Sequence, residues 1–242
     1  MAVRSSNIPR PAPSTLGLRK ISLLEGVPPA RLDALARECA WRNVEAGKRI
    51  ISRSAKDCDI YFIASGRVRV TTYSATGRQV TFRDFGAGEH FGEVAAIDGM
   101  PRSADVVALQ GSLLAVLPRE AFNHLLREEP AVAERLLQGL AALVRRLSER
   151  VIDLSTLGVH HRLHAELLRL AREAGVQGNR AHIDPAPKHA DLASQVSTYR
   201  EQVTRELSAL ARAKVLGREG RALVVLDVAR LRKMVDEVKS GA

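Results

Sequence analysis

The chemistry of this chain concentrates in two stretches. The first runs from Phe91 to Ala104 and reads FGEVAAIDGMPRSA. Glu93 follows Gly92, an apolar run beginning Val94-Ala95 has room for one helical turn, and a turn at Asp98, Gly99 and Pro101 leads to Arg102, Ser103 and Ala104. The guanidinium of Arg102 can grip a phosphate through two parallel charge-assisted hydrogen bonds. Ser103 and the backbone N–H groups opening the short helix can serve the remaining phosphate oxygens. Glu93 can accept from a ribose hydroxyl, and Gly92 lets the backbone come close to a ligand. Together these are the parts of a buried phosphosugar site.

The second stretch, His189 to Leu207, reads HADLASQVSTYREQVTREL. Leu192 and Val196 fall on one side of a first helix, Ala193 is small enough for a close helix crossing, and Ser197-Thr198 form a turn. Val203 and Leu207 face the core from a second helix, whose first turn exposes Arg200, Glu201 and Gln202, with Arg205 one turn on. This is a helix-turn-helix pattern, whose second helix enters the major groove by its N-terminal end. Arginine can bond guanine O6 and N7 together, and glutamate can accept from cytosine N4. Lys188 and His189 fall where the first helix meets the sugar-phosphate backbone, and Tyr199 stands at the turn. Leu216 to Leu226, with Gly217 and Gly220, reads as a hairpin wing whose Arg218 and Arg221 are further phosphate candidates.

Charge agrees with this division. Residues 1–20 carry four basic groups and no acid, residues 21–158 carry 18 basic and 17 acidic, and residues 159–242 carry 15 basic and 10 acidic. A near-neutral middle suits a small-molecule site, and a basic last third suits a polyanion binder. Two cysteines, Cys39 and Cys58, are too few for a disulfide scaffold or a four-thiolate cluster. No membrane-length apolar run and no signal-peptide core are found, so a cytoplasmic protein without membrane contact is expected. An enzyme is not expected: no nucleophile triad, HExxH or P-loop is present, and only His90 lies in the β-rich region. No metal site is expected either, and His160, His161 and His164 read as solvated helix-end side chains.

The elements that must position these residues follow from periodicity. Residues 1–15, with Pro9, Pro11 and Pro13, read as a disordered tail. A helix after Pro28-Pro29 ends near Trp41. Short strands then recur: Arg49–Arg53, Asp59–Ala64, Arg67–Tyr73 after the Ser65-Gly66 turn, Arg78–Phe85 after Thr76-Gly77, Val106–Leu109 and Leu113–Leu117. About eight strands at such spacing form a sandwich or small barrel. From Pro118 the period becomes helical. A short helix spans Arg119–Glu128, and a long one runs from Ala131 to about Leu157. On it Leu137, Leu140, Val144, Leu147, Val151 and Leu154 alternate spacings of three and four, a coiled-coil seam that predicts a homodimer, with Arg145, Arg146, Glu149 and Arg150 on its flanks. Gly158 reads as a hinge. A helix at Arg162–Ala174 follows, then loops at Gln177-Gly178-Asn179 and Asp184–Pro187.

Phe91–Ala104 resembles the phosphate-binding cassette of cyclic-nucleotide-binding domains, and the chain from about residue 16 to 235 resembles the CRP/FNR family of bacterial transcription regulators. The resemblance implies an α+β protein. Its parts would be an N-terminal double-stranded, jelly-roll-like β-roll (16–130), a dimerisation helix and hinge (131–158) and a C-terminal winged helix-turn-helix (159–242). It implies cAMP or cGMP as effector, bound at Gly92, Glu93, Val94, Ala95, Arg102, Ser103 and Ala104. Two adjacent hydroxyl residues of the long helix contact the purine of cAMP in the family; here those positions are Leu147 and Ser148, so one hydroxyl remains and cGMP stays open. Arg200, Glu201 and Arg205 match the family's three base readers, implying double-stranded DNA with TGTGA-like half-sites. RNA polymerase contact and an activator role rest on the resemblance alone. Three departures stand out: Ser54-Ala55-Lys56 where a glycine turn is usual, Ser197 in place of the helix-turn-helix glycine, and Tyr199 where a small phosphate-contacting residue is usual. The alternative is the same scaffold sensing haem, redox state or another metabolite.

Overall fold

The computed structural model describes residues 15–74 and 79–239. Of the tail expected over residues 1–15, Thr15 is helical instead, and the rest, like the Thr76-Gly77 turn, lies outside the described residues. Two compact units are formed. One takes in the described residues up to Thr72 together with Phe82–Ala142, the other Tyr73–Thr81 and the described residues from Leu143 onward.

The first unit opens with α1 (Thr15–Leu18), a single 3₁₀ turn at Ser22–Leu24, and α2 (Pro29–Glu38). Strands β1 (Ala40–Val44), β2 (Arg49–Ile51), β3 (Ile60–Ser65), β4 (Arg67–Tyr73), β5 (Gln79–Gly86) and β6 (His90–Phe91) follow. After the short α3 (Glu93–Asp98) come β7 (Asp105–Ala108), β8 (Ser112–Leu117), α4 (Arg119–Glu128) and α5 (Pro130–Thr156). The strands make two four-stranded sheets, ordered β1-β8-β3-β6 and β2-β7-β4-β5. The non-sequential order is that of a β-roll.

Alternation explains the core. In β3, Ile60 and Phe62 face one cluster with Leu35, Phe122, Leu125, Val132 and Leu136 from the helices. Tyr61 and Ile63 face another, with Ile51, Val68, Phe91 and Val106. β8 divides likewise, Ala115 and Leu117 to the helices, Leu114 and Val116 to the strands. A sheet covered on both faces needs strands apolar at every position, which is why β3 reads IYFIA. The α2 helix stops at Glu38, short of the expected Trp41. Cys39 turns extended and Trp41 enters β1 opposite Ala115, its indole N–H donating to Ala36 O (2.9 Å).

The second unit contains the rest of α5, α6 (Val159–Ala174), β9 (Val176–Gln177), β10 (Arg180–Ile183), α7 (His189–Gln195), α8 (Arg200–Arg212), β11 (Leu216–Glu219), β12 (Ala222–Val225) and α9 (Val228–Lys239). Gln177-Gly178-Asn179, expected as a plain loop, instead ends β9 at Gln177 and turns through Gly178-Asn179 into β10, which pairs with β12. The wing is therefore part of a four-stranded sheet, β11-β12-β10-β9. One core joins Leu163, Leu167, Leu192, Val196, Val203, Leu207, Val225 and Leu231. No helix among the described residues is long and apolar enough to cross a membrane.

Candidate ligand site and nucleic-acid interface

Of the candidate ligand-site residues in the first unit, Gly92 and Glu93 interact with Arg102. Gly92 adopts φ +86°, the left-handed region open to glycine, as it caps α3. A Cβ there would stand 2.8 Å from Arg102 Nη1 and 3.1 Å from Asp59 O, so no other residue fits without displacing the arginine. The Arg102 side chain is 2% exposed. Its Nη1 donates to Gly92 O (3.0 Å), its Nη2 to Asp59 O (2.7 Å) and to Asp57 Oδ2 (2.5 Å), and its Nε to the same Asp57 oxygen (3.1 Å). The guanidinium also lies 5.5 Å from the centre of the Tyr61 ring, which stacks on Phe91 at 4.9 Å. Held by carbonyls, a carboxylate and an aromatic face, this arginine has one orientation.

Glu93 opens α3 and is half-buried; burial raises its carboxyl pKa, opposed by its own backbone N–H and by Arg102 and Arg83. Ala95 is buried, Ala104 half-buried, and Val94 and Ser103 are exposed. At the far end of α3, Arg119 Nε donates to Ala96 O (3.0 Å) and Nη2 to Ile97 O (3.2 Å), fixing the short helix from α4. Asp57, Tyr61 and Arg119 were not foreseen. They lie far from the cassette in sequence, and only its Phe91–Ala104 core carries a local signal. Leu147 and Ser148 are exposed on α5 in the second unit.

In the second unit, α7 and α8 form the helix-turn-helix. The turn is closed by Thr198 N–H to Ala193 O (2.9 Å), and Tyr199 precedes α8 with 60% of its surface exposed. Arg200, Glu201 and Arg205 are exposed on one end of α8. Gln202 is half-buried instead, because its side chain accepts from Thr198 Oγ1 and closes the first turn. Lys188 is exposed, and His189 Nδ1 lies 2.7 Å from Thr204 Oγ1, tying α7 to α8. Arg150, expected on a seam flank, is half-buried, and its Nη2 donates to Gln195 O (2.9 Å) at the turn. The wing places Arg218 in the open, while Arg221 forks onto Asp184 (2.8 and 3.2 Å). His164 corrects a reading: it is buried, not solvated, and its Nε2 meets Glu206 Oε1 at 2.7 Å where α6 packs on α8.

Ser54, in the stretch where a glycine turn was expected, and Ser197, where a turn glycine was expected, both take positive φ, at +67° and +56°. An L-residue there costs about 1–2 kcal/mol, offset in part by glycine's greater unfolded-state entropy. Ser197→Gly should therefore stabilise the fold by about 0.5–1 kcal/mol, read as a rise in urea midpoint at unchanged m-value. A lower midpoint would show that the bond between Ser197 Oγ and Arg150 (3.4 Å) outweighs the strain.

Comparison with known proteins agrees with this geometry. Residues 41–129 match the cyclic nucleotide-binding domain and residues 161–234 the Crp-like helix-turn-helix domain. The chain is 34% identical to the cyclic AMP receptor protein of Thermus thermophilus, over 80% of this chain and 87% of that one. It is 25% identical to the CRP-like cAMP-activated global transcriptional regulator of Mycobacterium tuberculosis, over 88% and 96% of the two chains. A crp/fnr-family regulator from Eubacterium rectale shares the fold with a TM-score of 0.70 at 17% identity, over 90% of this chain and 99% of its own. With a cyclic-nucleotide-binding β-roll and a helix-turn-helix in one polypeptide, the chain belongs to the CRP/FNR family of DNA-binding transcription regulators.

Proposed function

We propose that this regulator is switched by a cyclic mononucleotide, cAMP or cGMP, and binds a TGTGA-type palindrome as a homodimer in the cytoplasm. The observation that carries the reading is the buried, fixed guanidinium of Arg102, whose charge acts on the half-buried Glu93 carboxyl at the start of α3. Arg102 would take the phosphate, Glu93 a ribose hydroxyl, Gly92, Val94, Ala95, Ser103 and Ala104 the cassette wall, and Leu147 with Ser148 the purine. The ligand acts through differential affinity for the DNA-competent state. Activation by contact with RNA polymerase is part of the same reading.

Redox sensing is poorly served by Cys39. Cys39 is buried, and burial together with Glu38 pushes its thiol up to about 12, far from a reactive thiolate. The deciding experiment is calorimetric titration with cAMP and with cGMP, followed by binding to a TGTGA palindrome with each. A nucleotide that binds and tightens DNA binding is the expected result. Palindrome binding without any nucleotide response would reassign the cassette to another effector.

The DNA face allows a finer test. Arg205→Ala should weaken palindrome binding by about 1–3 kcal/mol and relax selectivity at one base position. Lys188→Ala should weaken all sequences alike and lower the salt slope by about one. Equal losses on specific and random duplexes for Arg205→Ala would remove it from base reading.

A further inference from the structure

Arg102 already has an anionic partner. The Nε and Nη2 edge, the edge an arginine offers to a phosphate, is closed by one Asp57 oxygen at 3.1 and 2.5 Å. The other contacts, to Gly92 O and Asp59 O, are backbone carbonyls fixed by the fold. Asp57 differs from them in freedom: its side chain is 45% exposed, against 2% for Arg102. It can turn into water, and the guanidinium cannot follow.

We propose that Asp57 is a built-in competitor for the ligand at Arg102, so that binding exchanges the Asp57 carboxylate for the ligand's phosphate. This rests on reading the cassette as a cyclic-nucleotide site. The charge balance favours an exchange. One buried guanidinium is neutralised by one carboxylate, and a cyclic phosphodiester carries the same single negative charge. Holding both anions on one edge would set like charges against each other beside a desolvated group. The backbone lets the side chain leave alone. Ser54 N–H donates to Arg102 O (2.9 Å) and Arg102 N–H to Ala55 O (2.9 Å), so the loop stays tied to the arginine whatever Asp57 does. This loop contains Ser54-Ala55-Lys56, the stretch where the resemblance led to the expectation of a glycine turn, and Ser54 takes φ +67° there.

A site occupied by its own carboxylate binds ligand with an affinity reduced by the fraction of time it is open. The effect is to raise the nucleotide threshold at which the regulator responds.

The test is calorimetric titration of the full chain with cAMP and cGMP, for wild type, Asp57→Ala, Asp57→Asn, Asp59→Asn and Arg102→Ala. Asp57→Ala should bind roughly tenfold more tightly than wild type, and Asp57→Asn by less, since its amide oxygen still accepts from Arg102. Asp59→Asn should change little, because Asp59 meets Arg102 through its backbone. Binding by Asp57→Ala where wild type shows none would be the strongest support. Weaker or unchanged binding by Asp57→Ala would overturn the proposal and make Asp57 a buttress that remains when ligand is bound. Equal tightening by Asp59→Asn would overturn it in favour of bulk charge. Thermal melts check folding, and if Asp57→Ala does not fold, the sign of the Asp57→Asn change decides. Failure of the underlying reading looks different: neither nucleotide binds any variant, or Arg102→Ala binds as wild type does.

Discussion

Arg102→Ala should lose cyclic-nucleotide binding by at least about 100-fold, leaving DNA affinity indifferent to added nucleotide. Two charge-assisted hydrogen bonds to a phosphate are worth about 1.5–3 kcal/mol each. Here they act from a side chain 2% exposed, where water competes poorly. The substitution has a structural cost too. Gly92 O and Asp59 O each lose a donor, so about 1–2 kcal/mol of stability should go with the ligand site. Arg102→Lys separates the two effects. It keeps the charge but loses the planar fork, so nucleotide binding should be intermediate while stability is largely kept. Wild-type nucleotide affinity in both variants would show that the phosphate is held elsewhere.

What sequence could reveal here depended on whether the signal was local. The α4 helix is bounded as expected, Arg119–Glu128, because Pro118 and Pro130 bracket it. β4 is bounded as expected, Arg67–Tyr73, because Ser65-Gly66 turns the chain before it. Trp41 was misplaced at a helix end because β1 exists only by pairing with β8, seventy-odd residues on. β10 was missed for the same reason, its partner β12 lying beyond the helix-turn-helix. The site followed the same rule. Gly92, Glu93 and Arg102 belong to one contiguous motif, so a local window could single them out as candidates. Asp57 and Asp59 reach Arg102 across 45 and 43 positions, and Arg119 reaches α3 across more than 20. Such contacts are set by tertiary packing and leave no mark in a local window. Ser54 and Ser197 were legible only as departures from a pattern; their left-handed φ gives those departures a physical meaning. Gln202 shows the converse, a polar residue at the right spacing for a base but turned back onto Thr198.

The α5 seam carries the other large effect. Val144, Leu147, Val151 and Leu154 are 62%, 41%, 63% and 42% exposed, although they repeat at the three-and-four spacing that buries a helix face. Nearer the start of the helix, Val132 and Leu136 are buried in the core of the first unit, whereas Leu137, which opens the seam, is 66% exposed. The proposed homodimer would cover this apolar stripe with a second copy, and the proposed palindromic site has the same two-fold symmetry. Val144→Glu with Val151→Glu would place like charges against each other across that two-fold. The double variant should sediment as a monomer at concentrations where wild type is a dimer. Its palindrome affinity should fall by about 10²–10⁴, because two linked half-site contacts become one. Both positions are exposed within the chain, so the fold itself should change by no more than about 0.5 kcal/mol each. Base-reader losses should be smaller and confined to single positions, whereas this loss should be general to every two-site target and absent on an isolated half-site. A double variant that remained dimeric would move the dimer interface off this face of α5.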